Sequence, residues 1–110
     1  MVRAPVSTAA QQHPDLAEVE LLTVLQALSD PVRLEIVRQL AANEDGKGLM
    51  CHQVEIPVTK STGSHHLKTL ANAGITAERQ EGTSKYLTLR RAELEQRFPG
   101  LLESVLKAAG

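Results

Sequence analysis

The stretch Thr59-Lys60-Ser61-Thr62-Gly63-Ser64-His65-His66-Leu67-Lys68 carries the residue types in this chain best suited to meeting a hydrated polyanion. Wound as a helix, Lys60, Ser61, Ser64, His65 and Lys68 recur at spacings of one, three and four and share a broad outward face. Short hydroxyls allow close approach to a duplex, and cations stand at both ends of that face. A helix that reads DNA touches base edges with its N-terminal residues, while hydroxyls, lysines and the helix N-terminus hold phosphates. Thr59, Lys60, Ser61, Thr62, Ser64, His65 and Lys68 are therefore the candidate DNA contacts. Any surface helix shows polar residues outward. Ser and Thr are nonetheless poor helix-interior residues, and a run of them is unusual filler.

Downstream, Arg79, Lys85 and Arg90 flank the tip Glu81-Gly82-Thr83-Ser84. Tyr86, Leu87 and Leu89 beyond a Gly-containing turn read as one strand of a β-hairpin. Such a hairpin suits a wing laid along a phosphate strand, with Arg79 and Lys85 as its candidate contacts. The acidic Glu81 is expected to pair with a neighbouring lysine.

Cys51 stands next to His52 and admits three roles. It could be a redox-sensing thiol, one ligand of a metal shared between subunits, or a small buried apolar residue. His65 and His66 point about 100° apart on a helix and cannot chelate one ion. The reading assigns no metal site and no cofactor. Beside Asp30 and Glu35, Arg33 is expected to make a structural ion pair.

Elements that could position these residues follow from spacing and punctuation. Residues 1–14 show no periodicity and read as a flexible tail ahead of a domain over 15–110. Asp15 can cap a helix with Leu16, Val19, Leu22, Leu25 and Leu28 on one face, widened by Leu21 and Val24 toward a dimer surface. Asp30 is an N-cap with Pro31 at the first helical position, opening a helix with Leu34, Val37, Leu40 and Ala41 on one face and Ile36 flanking. Residues 49–58 suit one short helical turn or extended chain, because Gln53 to Ile56 alternates and Pro57 breaks a helix. Thr59 caps the polar helix, Gly63, Leu67 and Leu70 form its buried side, and Gly74 ends it. A final apolar segment from Leu94 to Leu106 is expected to kink at Pro99-Gly100.

Composition narrows the function class. At 110 residues the chain forms one domain, and with 2% aromatics its core must come from Leu, Val, Ile and Ala. That supply fits a helical protein completed by a second copy. An enzyme is not expected, since no nucleophile–base pair, Gly-rich phosphate loop or closed metal set occurs. No membrane span or signal peptide is read, and a single cysteine suits the cytoplasm. The net charge of −1 conceals a division. Residues 15–57 hold Arg33, Arg38 and Lys47 against eight acids, whereas residues 58–90 hold five cations against Glu78 and Glu81. The basic segment coincides with the candidate contacts, and phosphate affinity depends on local charge.

Three ordered motifs carry a family resemblance. Residues 25–37, from Leu25-Gln26-Ala27 through Ser29-Asp30-Pro31-Val32-Arg33 to Val37, resemble the opening of the ArsR/SmtB regulators. Ser61 to Leu70 with Ala73-Gly74-Ile75 resembles their recognition helix, and Glu81-Gly82 with Lys85 to Leu89 resembles their wing. The resemblance implies a mostly α winged helix-turn-helix of order α-α-(short α)-α-β-β-α with a β-hairpin wing. It further implies a homodimer joined by the first and last helices, binding an inverted-repeat operator in double-stranded DNA as a repressor. The expected function is a sequence-specific transcriptional repressor released by an effector or redox signal. The alternative is a winged-helix protein-interaction domain without DNA binding. The family's metal sites do not carry over. Cys51-His52 replaces the Cys-x-Cys of arsenic-type sensors, and the last helix has Glu93, Glu95 and Glu103 but no histidine. Gly63 stands where the family has Val or Ala, at a helix cost of about 1 kcal/mol.

Overall fold

The computed structural model describes residues 14–43 and 48–109. The tail expected over 1–14 lies outside these residues except for Pro14. Among the described residues five α-helices and three strands follow one another as α1 (Leu21–Leu28), α2 (Pro31–Ala42), β1 (Leu49–Met50), α3 (Lys60–Asn72), β2 (Thr76–Glu81), β3 (Ser84–Leu89), α4 (Arg91–Arg97) and α5 (Leu101–Ala109). The core gathers Val24, Leu28, Ile36, Val37, Leu40, Leu70, Ile75, Leu87, Leu94 and Leu102, so every helix contributes to it. The architecture is a winged helix, as expected, with two differences in its parts. A 3-10 turn at Cys51–Gln53, the one short helical turn admitted for residues 49–58, replaces the short α-helix that the resemblance implies, and β1 adds a third strand to the wing.

Local chemistry sets most boundaries. Asp30 Oδ2 accepts from the amides of Val32 at 2.9 Å and Arg33 at 3.0 Å, so α2 begins with two orphan donors satisfied and Pro31 needing none. On α2 the buried residues are Ile36, Val37 and Leu40. Ile36 is thus central rather than flanking, and Leu34 and Ala41 are half-buried. Gly74 follows α3 at φ +81, a conformation a side chain would strain. Pro99-Gly100 divides the last apolar segment into α4 and α5, and the Gly100 amide donates to Glu95 at 3.1 Å.

The expected first helix is broken. Leu16–Glu18 is a 3-10 turn, and Val19 and Glu20 are extended before α1 begins. The break lets Leu16 and Val19 bury against Gly74 instead of continuing the stripe. Arg97 supports it from α4, its Nε donating to the Leu16 carbonyl and its Nη2 to the Val19 carbonyl, both at 3.0 Å. Arg90 adds a 2.9 Å bond from Nη1 to the Pro14 carbonyl. Leu21, Leu22 and Leu25 consequently face outward, with Leu22 73% exposed.

The sheet order is β1-β3-β2, all antiparallel. β2 and β3 pair from Thr76↔Leu89 to Glu81↔Ser84 around Gly82-Thr83. β1 pairs Leu49 with Leu87 and Met50 with Tyr86, which docks the segment ahead of α3 onto the wing.

Candidate nucleic-acid interface

α3 opens at Thr59, whose Oγ1 accepts from the Thr62 amide at 3.2 Å and donates to Thr62 Oγ1 at 3.0 Å. The two threonines thereby fix the helix start. Lys60, Ser61, Thr62, Ser64, His65 and Lys68 are all exposed, and Gly63 and Leu70 are buried on the other side. Leu67 is half-buried. Among the described residues neither Lys60 nor Lys68 has an ion-pair partner. The helix therefore offers solvent two uncompensated cations and four short or aromatic polar side chains, with its N-terminal amides at one end.

Gly63 explains how α3 is seated. A Cβ there would stand 3.3 Å from Ile56 Cδ1 and 3.8 Å from Val58 Cγ2. The Ile56-Pro57-Val58 segment, unable to form a helix through Pro57, lies against the glycine. Gln39 secures the same segment, its side chain donating to the Glu55 carbonyl at 2.7 Å and accepting from the Glu55 amide at 2.9 Å.

An open groove of about 630 Å³ runs between the N-terminal half of α3 and the wing. Lys60, Gly63 and Ser64 line one wall, Thr83, Ser84 and Lys85 the other, and Cys51 and His52 sit on the segment that joins them. Strand alternation divides the two wing cations. Lys85 opposes Gln80 and shares the face of buried Leu87, whereas Arg79 opposes Tyr86 on the other face. Lys85 lies 3.9 Å from Glu78. Arg79 bonds Glu81 at 2.9 Å and sits 4.9 Å from the centre of the Tyr86 ring. Glu81 thus pairs with an arginine on its own strand, not with a lysine. Arg90 is 10% exposed and held by Glu93 and Pro14, which removes it from the wing's cations.

Cys51 is exposed, which removes the buried-apolar role. Among the described residues no group of three or more His, Cys, Asp or Glu is placed to hold a metal ion. Arg33 does not make the expected ion pair with Glu35. Its Nε donates to the Ala27 carbonyl at 2.7 Å, its Nη2 to Gln26 at 3.3 Å, and its Nη1 stands 3.3 Å from His66 Nδ1. Glu35 is taken by Arg38 and Gln39, and the Gln39 and Arg38 bonds hold its carboxyl below the usual carboxylate range. The Asp30 carboxyl is lowered too, first by the Arg33 amide and further by the Arg33 charge and the Val32 amide, against some desolvation. His66 and the wing-tip pair Thr83-Ser84 were not read as part of the interface. His66 is partly packed, as its place beside the outward His65 implies, and its link to Arg33 of α2 shows only in the folded chain, as do the tip residues.

No protein-family model matches the sequence. The "uncharacterized HTH-type transcriptional regulator YceK" of Bacillus subtilis is 40% identical over 84 residues, covering 74% of this chain and 82% of its own. A "cadmium resistance transcriptional regulatory protein CadC homolog" of Staphylococcus aureus is 34% identical over 79% of this chain and 68% of its own. An "arsenical resistance operon repressor" of the same organism is 34% identical over 69% of this chain and 71% of its own. Among solved structures, that of a possible transcriptional regulator for arsenical resistance superposes with a TM-score of 0.58 at 26% identity, over 80% of this chain and 93% of that one. Relatives matched over most of their length, and a winged helix that exposes the polar face of α3, lead to one conclusion: the chain belongs to the ArsR family of winged helix-turn-helix, DNA-binding transcriptional repressors.

Proposed function

We propose that α3 is the helix that reads double-stranded DNA, with Thr59, Lys60, Ser61, Thr62, Ser64, His65 and Lys68 as its contacts and Arg79 and Lys85 contributing from the wing. The observation that carries this reading is the outward, uncompensated polar face of α3 in a chain that is otherwise acidic. Lys85 borders the same groove as Lys60 and Ser64 and suits a phosphate flanking the site. Arg79, engaged by Glu81 on the far face, suits a second strand of the duplex. The exposed leucines of α1, next to an apolar notch shared with Leu101 and Leu102 of α5, favour a homodimer through the first and last helices. Two copies of α3 related by a two-fold axis would meet an inverted-repeat operator. No helix among the described residues is long and apolar enough to cross a membrane, and the reading places the protein in the cytoplasm with its DNA, as a regulator and not an enzyme.

The test uses a duplex enriched from a random-sequence pool by the wild-type protein, titrated across a salt series. A steep loss of affinity with salt is expected. Lys68→Ala should weaken binding to every sequence and reduce the salt slope by about 1, whereas Ser64→Ala or His65→Ala should change the preferred sequence. Unchanged binding in all three variants overturns the assignment of α3. Absence of binding at low salt favours the protein-interaction alternative.

Release by an effector or a redox signal has one observation in its favour. The Cys51 thiol is exposed in the groove that Lys60, Ser64 and Lys85 line, so a bulky or charged adduct there would stand where DNA is read. Mild oxidation should lower DNA affinity in the wild type and leave Cys51→Ser unaffected. Equal responses remove the thiol from the mechanism.

A further inference from the structure

His66 lies on α3 next to the candidate contact His65, one turn after Thr62 and one before the buried Leu70, yet it faces inward, with a side chain only 12% exposed. Its Nδ1 meets Arg33 Nη1 at 3.3 Å. A guanidinium only donates, so in this contact Nδ1 is the nitrogen that accepts. Asp30 Oδ2, at 3.9 Å, is too far for a hydrogen bond and is already occupied by the first amides of α2. The same guanidinium donates through Nε and Nη2 to the Ala27 and Gln26 carbonyls, the last turn of α1. One side chain thus joins the C-terminus of α1, the first turn of α2 and the middle of α3.

Resting on the reading of α3 as the DNA-contacting helix, we propose that His66 is a positioning residue for DNA recognition. Through Arg33 it fixes the rotation of α3 about its own axis, and with it the direction in which Ser64, His65 and Lys68 point. A planar fork is suited to this because its donors are held at set angles to one another, so a turn of α3 breaks one bond without weakening the other two. The remaining contacts of α3 in that region are apolar or non-directional: Leu67 and Leu70 pack, and Gly63 has no side chain. They resist separation of the helices more than rotation. His66 supplies the directional term.

The experiment measures binding of the full-length protein to the pool-enriched duplex and its thermal unfolding, in five variants. His66→Leu keeps volume and removes the acceptor. It is expected to unfold near the wild-type temperature and to bind about tenfold more weakly, the worth of one charge-assisted hydrogen bond. His66→Asn places an acceptor near the position of Nδ1 and is expected to restore most of that affinity. Arg33→Gln removes the guanidinium fork that spans to His66 and α1, and the Arg33→Gln/His66→Leu pair should bind no more weakly than Arg33→Gln alone. Lys68→Ala reports on the underlying reading. If it weakens binding while His66→Leu does not, the positioning role is overturned and the reading of α3 stands. If Leu and Asn weaken binding equally, His66 acts by packing and the proposal fails. If neither Lys68→Ala nor His66→Leu has any effect, the reading of α3 itself fails. Should His66→Leu unfold, the Asn and Gln arms still decide the matter, since only a directional bond predicts rescue by one and loss in the other.

Discussion

Two helices of this chain turn residues toward solvent, and they do so with opposite chemistry. α1 presents Leu21, Leu22 and Leu25, whereas α3 presents Lys60, Ser61, Ser64, His65 and Lys68. Leaving leucines in water forgoes roughly 1.5–3 kcal/mol for each one that burial would contribute. Hydroxyls and lysines lose nothing in water, and they retain their value only against a partner that is itself hydrated and charged. The α1 face is therefore matched to a surface that excludes water, which the proposed homodimer would supply. The α3 face is matched to one that keeps it, as the proposed contact with a duplex requires. Each face would fail in the other's role, and one fold of modest core size carries both.

The strongest way to break that contrast is to put charge on the apolar side. The double substitution Leu22→Glu/Leu25→Glu should leave each chain folded, since neither side chain is in the core. It should raise the dimer dissociation constant at least about 100-fold, two leucines' burial being lost. Sedimentation measures the association, and DNA titration should show affinity falling with it, because half-sites are then bound singly. A variant that remains dimeric at micromolar concentration places the interface elsewhere.

Gly74 joins the two regions, since the chain leaves α3 there and turns beneath Leu16 and Val19 on the approach to α1. A Cβ at this position would stand 2.6 Å from Leu16 Cδ2 and 3.3 Å from Val19 Cγ2, at φ +81. Gly74→Ala should cost about 2 kcal/mol or more, combining left-handed strain with the displaced leucine. Chemical denaturation reads the loss. A cost below about 0.5 kcal/mol would mean that Leu16 moves freely and that the 3-10 turn is loosely held.

How far these regions can be read from sequence depends on the range of the forces that shape them. Asp30-Pro31, Thr59 and Gly74 are legible because capping and left-handed turns are decided within four residues. The polar face of α3 is legible for the same reason, since one helical period displays it. The break at Val19-Glu20 is not, because its cause is Arg97, which takes the carbonyls of Leu16 and Val19 from the far end of the chain. An apolar repeat of three predicts a helix whether or not such a partner exists. Arg33 misleads in a similar way. Neighbouring carboxylates suggest an ion pair, and only the folded arrangement brings the C-terminal end of α1 and the ring of His66 within its reach. The division of Arg79 from Lys85 follows from hairpin register, which fixes faces only once the turn is known to be Gly82-Thr83.

Acid should act on both regions at once. Asp30 beside α3 and Glu103 on α5 each have carboxyls held below the ordinary range, Asp30 by the Arg33 amide first and Glu103 by its hydrogen bond from Arg91. For groups lowered in the folded state, the stabilisation is complete above the unfolded value and is lost as pH falls through the folded one. The contribution of these two carboxylates should therefore be constant above about pH 5 and decline below about pH 4. Asp30→Asn keeps a good cap without a titrating group, and its decline should be shallower. An identical acid limb in that variant would assign the loss to other carboxylates.

The smallest expected effect lies on the inner side of α3. Gly63→Ala would relieve a helix-propensity cost of about 1 kcal/mol. Opposing this, the new Cβ would stand 3.3 Å from Ile56 Cδ1, closer than a comfortable contact. The atom in the way is the end of a half-buried, rotatable side chain, which can retreat by a few tenths of an ångström, whereas the helix gain is intrinsic to the backbone. The gain should therefore prevail, giving a net stabilisation below about 1 kcal/mol with DNA affinity unchanged. A loss of stability would show that Ile56-Pro57-Val58 is held rigidly by Gln39 and by β1. A gain in stability paired with weaker DNA binding would show that α3 needs the freedom its glycine gives. The contrast between the two helices would then be one of rigidity as well as of chemistry.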